Sequence, residues 1–116
     1  MSEKRDITLF IQDVFEAIEK IDGYVSGIND AREFKDSKQT YDAVMMNFII
    51  IGEAVRNIYE EVRNNYPQVE WLNIMAMRNL LIHEYWGVDE KVVWNAVQKN
   101  LPQLKEILTK IKGSLN

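Results

Sequence analysis

Cysteine is absent from these 116 residues, and histidine occurs once, at His83. The first absence excludes a disulfide framework and a thiolate metal site, and it suits a reducing compartment. The second leaves a structural zinc site short of ligands. No apolar run approaches the length of a membrane span, since Met45-Met46-Asn47-Phe48-Ile49-Ile50-Ile51 is far too short. The start, Met1-Ser2-Glu3-Lys4-Arg5-Asp6, is charged and leads directly into an amphipathic pattern. It is therefore expected not to be a signal peptide, and a cytoplasmic location follows as an expectation. There are only 2 prolines and 5 glycines, with no low-complexity tract, interdomain linker, glycine-rich phosphate loop or nucleophile elbow. Basic residues are also in the minority, 14 Lys and Arg against 18 Asp and Glu, for a net charge of −4. That balance argues against broad nonspecific binding to nucleic acid but allows a small basic site.

What is present is helical periodicity from end to end. The length fits one domain, residues 1–116. Ile7, Phe10, Ile11, Val14, Ile18, Ile21 and Val25 recur at spacings of three and four and form one apolar stripe. The stripe dissolves around Gly23 and Gly27. Asn29 to Ser37 then reads as a polar connection with room for one short turn at Ala31–Phe34. A second long helix is expected from about Ser37 to Asn64, ended by Asn64, Asn65 and Pro67. A third starts near Glu70 and is broken by Gly87. Asp89 is a plausible N-cap for a fourth, carrying Val92, Val93, Ala96 and Val97. Pro102 suits the first turn of a last helix. The expected architecture is an all-α, antiparallel bundle of four or five helices.

The third helix carries the chemistry, in Met77-Arg78-Asn79-Leu80-Leu81-Ile82-His83-Glu84-Tyr85-Trp86. A cation that never titrates, beside an imidazole that titrates near neutrality, is a minimal kit for acid–base work on phosphate esters. With Arg78 at 0° on an ideal helix, Tyr85 falls at about −20°, Asn79 near 100° and His83 near 140°. Arg78 and His83 thus do not share one line. Either the helix loosens near Tyr85, or the site is a broad cleft, or a second chain completes it. Ile74, Met77 and Leu81 lie on one side, and Trp71, Met75, Ile82 and Trp86 on another. A helix so apolar around its circumference is expected to be buried by more than its own bundle, and a homodimer through this helix would do that.

Gly52 belongs to the same argument. A glycine inside a helix costs about 1 kcal/mol relative to alanine, and its bare backbone would let another helix approach. Its neighbour Glu53 is then expected to hold Arg78 or His83 in place. The bland alternatives are a structural histidine near a helix end, a core arginine paired with Glu53 or Glu84, and aromatic core or interface roles for Tyr85 and Trp86. Lys99, Lys105, Lys110 and Lys112 read first as a solvated helix face.

Arg78, His83 and Tyr85, spaced as Arg-x4-His-x-Tyr, resemble the signature of HepT toxins in the HEPN superfamily. Ile51-Gly52-Glu53-Ala54, Pro67-Gln68-Val69-Glu70-Trp71, Met77-Arg78-Asn79, His83-Glu84-Tyr85, Val88-Asp89 and Val93-Trp94 follow the same order, so the resemblance runs from about Asp6 to Ile111. It implies a HEPN bundle that dimerises with its two motif helices across a shared cleft. It also implies a metal-independent endoribonuclease without a cofactor, acting on RNA rather than DNA as the toxin of a toxin–antitoxin pair. The implied partner is a minimal nucleotidyltransferase antitoxin of the MntA type, which adds AMP to Tyr85. Catalysis would fall to Arg78 and His83, with Asn79 and Glu53 in support and Asn79 placed to orient His83 from one turn away. The rival is a catalytically silent dimeric helical adaptor, or nucleotide-binding partner of a nucleotidyltransferase, with Arg78 and His83 occluded.

Overall fold

The computed structural model describes residues 3–115, with side chains from Ile7 onward. The segment expected not to be a signal peptide, Met1 to Asp6, thus lies outside the described side chains. Every regular element among the described residues is helical: α1 (Glu3–Val25), α2 (Ala31–Asp36), α3 (Lys38–Arg56), α4 (Glu60–Asn64), α5 (Trp71–Glu84), α6 (Glu90–Asn95) and α7 (Leu101–Ser114). None is long and apolar enough to cross a membrane.

Four long helical stretches make the bundle. α1 packs on α3, α3 packs on α5, and α7 returns against α1. The α1 stripe is buried as its periodicity requires, with Ile7, Ile11, Val14, Ile18 and Ile21 all in the core. They meet Val44, Phe48, Ile51 and Val55 of α3 and Leu104, Ile107, Leu108 and Ile111 of α7 in one apolar cluster. Gly27, at φ 89°, takes the left-handed conformation that ends the first stretch.

Three boundaries differ from expectation. The polar connection after α1 is a capped helix: Asp30 accepts a hydrogen bond from the Glu33 amide, and Phe34 is completely buried. Its ring lies 5.1 Å from that of Tyr41 and 5.6 Å from that of Trp94, so α2 pins α3 to α6. The expected helix from Ser37 to Asn64 is instead two. Asn57 caps α3, donating its side-chain amide to the Glu53 carbonyl. Ile58 is buried at the break, and Arg63 reaches back to donate to the Ile58 carbonyl at 2.9 Å. Pro102 lies in the first turn of α7 as expected, and the third difference is that no break precedes it. α6 runs into α7 through a π-helical turn, Ala96–Asn100. Proline has no amide hydrogen and its ring crowds the carbonyl four residues back, and the wider turn relieves both.

Candidate active site

The site is built where α3 and α5 come closest. A β-carbon at Gly52 would collide with the β-carbon of Arg78, and it would lie 3.0 Å from Arg78 Cγ and 3.3 Å from the Ile74 carbonyl oxygen. Glycine is therefore what lets the helices touch at this level. One residue on, Glu53 Oε2 stands 2.9 Å from Arg78 Nη2. The pair is close but not aligned as a hydrogen bond, since Glu53 Oε2 has no hydrogen-bond donor and Arg78 Nε is buried without an acceptor. Charge attraction holds the contact, with the Arg78 side chain 22% exposed. Arg78 Nη1 donates to Asn79 Oδ1 at 2.8 Å.

This geometry assigns Glu53 and Asn79 to Arg78. Asn79 Oδ1 accepts from the guanidinium, and no hydrogen bond joins Asn79 to His83 among the described residues. His83 is exposed near the end of α5 and, among the described residues, makes no hydrogen bond or ion pair. Tyr85 opens a 3₁₀ turn, Tyr85–Gly87, directly after α5. Its ring is exposed and meets Trp86 edge-on, 5.8 Å between centroids. The helix thus loosens at Tyr85, one of the alternatives raised by the angular reading.

The aromatic and apolar residues around the motif divide sharply. Trp71 is buried, and its indole donates to the Tyr66 carbonyl. Trp86 is 75% exposed and is not a core residue of the single chain. Leu72 is equally exposed, and Leu80 and Ile82 are also open to solvent. These four residues leave the outer face of α5 apolar around Asn79 and His83. Next to this face and sharing Leu80 with it, against α6 and α7, lies a cleft of about 370 Å³ whose lining includes Phe48, Met77 and Val92 and neither Arg78 nor His83. No group of three His, Asp or Glu side chains converges as a metal site among the described residues.

A family model described as "Ribonuclease HepT-like" matches residues 14–111. The chain belongs to this HepT-like family of the HEPN superfamily. A Thermococcus cleftensis protein named "Probable ribonuclease HepT" is 36% identical over 109 residues, covering 94% of this chain and 98% of its own length. A provisionally named RNase of Methanocaldococcus jannaschii is 33% identical over 114 residues, 95% of this chain and 93% of the relative. Another protein of that organism, whose name joins a gamma-glutamylcyclotransferase to an RNase, is 35% identical over 113 residues; the chain spans 50% of its length. No solved structure matches the chain. The family and its ribonuclease-named members support a nuclease of the HepT type acting on RNA.

Sequence reasoning picked out Arg78, Glu53 and Gly52, and the structure brings all three together. It passed over Arg56, whose Nη1 lies 3.9 Å from the same Glu53 oxygen. The i,i+3 spacing of Glu53 and Arg56 on a helix was the available signal.

Proposed function

We propose that this HepT-like chain is a metal-independent endoribonuclease, the toxin of a toxin–antitoxin pair, whose active site is completed across a homodimer through α5. The observation that carries the reading is an exposed His83 on the same helix as an Arg78 braced by Glu53 and Asn79, a helix whose outer face is apolar. An exposed His83 also counts against the adaptor reading, which requires an occluded pair.

RNA supplies its own nucleophile, the ribose 2′-OH. The 2′ oxygen attacks the adjacent phosphorus and gives its proton to a base. The bond from phosphorus to the 5′ oxygen breaks, and that oxygen takes a proton from an acid. The product is a 2′,3′-cyclic phosphate, which water can open to the 3′-phosphate. Histidine is the side chain able to take or give a proton in such a step, and each chain has one, His83, so two chains supply base and acid. Arg78 presents planar donors to the phosphate oxygens as charge builds. Tyr85, exposed just past His83, is the group that a minimal nucleotidyltransferase antitoxin would modify with AMP. The added bulk and negative charge would compete with RNA for Arg78.

The test is cleavage of RNA by the purified chain. His83→Ala and Arg78→Ala are each expected to lower the rate at least 10²-fold, in line with the loss of an acid–base group or a charge-stabilising one. Unchanged circular dichroism would show that the fold is kept. Cleavage by His83→Ala at the parental rate would refute the mechanism.

A further inference from the structure

Glu53 stands between two arginines, not one. Its Oε2 is 2.9 Å from Arg78 Nη2 and 3.9 Å from Arg56 Nη1. One carboxylate therefore faces two guanidinium groups, so these three side chains together carry one excess positive charge in a chain whose overall charge is −4. The two arginines differ in access. Arg78 is 22% exposed and bound on two nitrogens, whereas Arg56 is 59% exposed and holds Glu53 only at long range. A long ion pair between exposed groups is the weakest kind and is readily exchanged for another anion.

The other nearby arginine does not compete for this role. Arg63 is committed to the Ile58 carbonyl and to the Met75 sulfur, and it shares its depression with Glu60 and Glu70. Arg56 is thus the outward-facing cation beside Arg78.

We infer that Arg56 is a phosphate-binding residue for the RNA substrate. It takes a backbone phosphate next to the one held by Arg78 and so draws the strand along the C-terminal end of α3. The inference rests on the endoribonuclease reading and adds to it a second cationic subsite outside the Arg78–His83 pair. A contact of this kind, to a backbone phosphate, positions the strand and carries no sequence preference.

The experiment measures binding of a fully 2′-O-methylated single-stranded RNA, which cannot be cleaved through its 2′ oxygen, by fluorescence anisotropy across a salt series. The parent, Arg56→Gln, Arg56→Lys and Lys110→Gln are compared, Lys110 being a lysine of α7 paired with Glu106. Losing one phosphate contact on a single strand flattens the log–log salt slope by about 0.7. Arg56→Gln is expected to show that change with a several-fold weaker Kd at about 0.1 M salt. Arg56→Lys is expected to restore most of both, and Lys110→Gln to match the parent. On cleavable RNA, Arg56→Gln should raise KM by a larger factor than it lowers kcat. An unchanged salt slope in Arg56→Gln, in a parent that binds and cleaves RNA, overturns the inference and leaves the nuclease reading standing. A change of the same size in Lys110→Gln would also overturn it, since the effect would then be general charge. A parent that neither binds nor cuts RNA would overturn both.

Discussion

At the residue scale, Gly52 decides the geometry of Arg78. The atom that a side chain at position 52 would strike is the β-carbon of Arg78, fixed to the α5 backbone, and the next obstacle is a backbone carbonyl. Neither can swing aside, so α5 itself would have to move. Gly52→Ala gains about 1 kcal/mol in helix propensity but pays for overpacking, typically 1–3 kcal/mol. The expected net is a loss of about 1 kcal/mol in urea unfolding, with a disproportionate drop in RNA cleavage because Arg78 leaves Glu53. A variant as stable and active as the parent would show that the close approach does not matter. Gly52, Glu53 and Arg78 were legible from sequence because a glycine inside a long apolar helix and an arginine inside another both call for an explanation. The attachment of Asn79 to Arg78 was not, because the ideal helix sets the two about 100° apart and only the bend of a long arginine side chain closes that angle.

At the scale of elements, the aromatic contact of α2, α3 and α6 has a pH signature. Tyr41 packs on Phe34, and its phenol is held above the usual value of 10.0, first by burial and then by the carboxylates of Glu90, Asp42 and Asp89. Both causes disfavour the phenolate in the folded chain. The contribution is therefore whole below pH 10 and is lost as pH rises through the raised folded value. Tyr41→Phe is expected to flatten the fall in stability above pH 10, measured by urea unfolding at a series of alkaline pH values. An unchanged slope would place that sensitivity elsewhere. The stripes of α1 and α7 were readable because their apolar spacing continues unbroken from end to end. The break after Arg56 was hidden because Ile58 and Val62 keep the helical period across it. Burial of Ile58, a tertiary effect, and the short-range Arg63 contact to its carbonyl accompany the end of the helix there. α2 was underestimated because a single residue, Phe34, supplies its entire buried face.

At the scale of the whole molecule, the outer face of α5 is the exposed apolar feature that surrounds the motif. Leu72, Leu80, Ile82 and Trp86 are open to solvent around Asn79 and His83, and this is the surface that the proposed dimer would cover. Leu72→Glu combined with Leu80→Glu sets like charges against each other in the proposed dimer. Sedimentation velocity is expected to show a monomer with parental helix content, and RNA cleavage should fall with the loss of the second histidine. A variant that stays dimeric and active would place the interface on another face.

The His83 imidazole has no hydrogen-bond partner among the described residues, so none of them selects its tautomer. Either ring nitrogen can carry the proton, and in a twofold pair the two imidazoles are equivalent until something distinguishes them. An RNA strand has a direction, and a strand laid across the cleft would bring its 2′ oxygen to one histidine and its leaving 5′ oxygen to the other. The division of labour between proton acceptor and proton donor would then be written by the polarity of the substrate, at a stoichiometry of one strand to two chains.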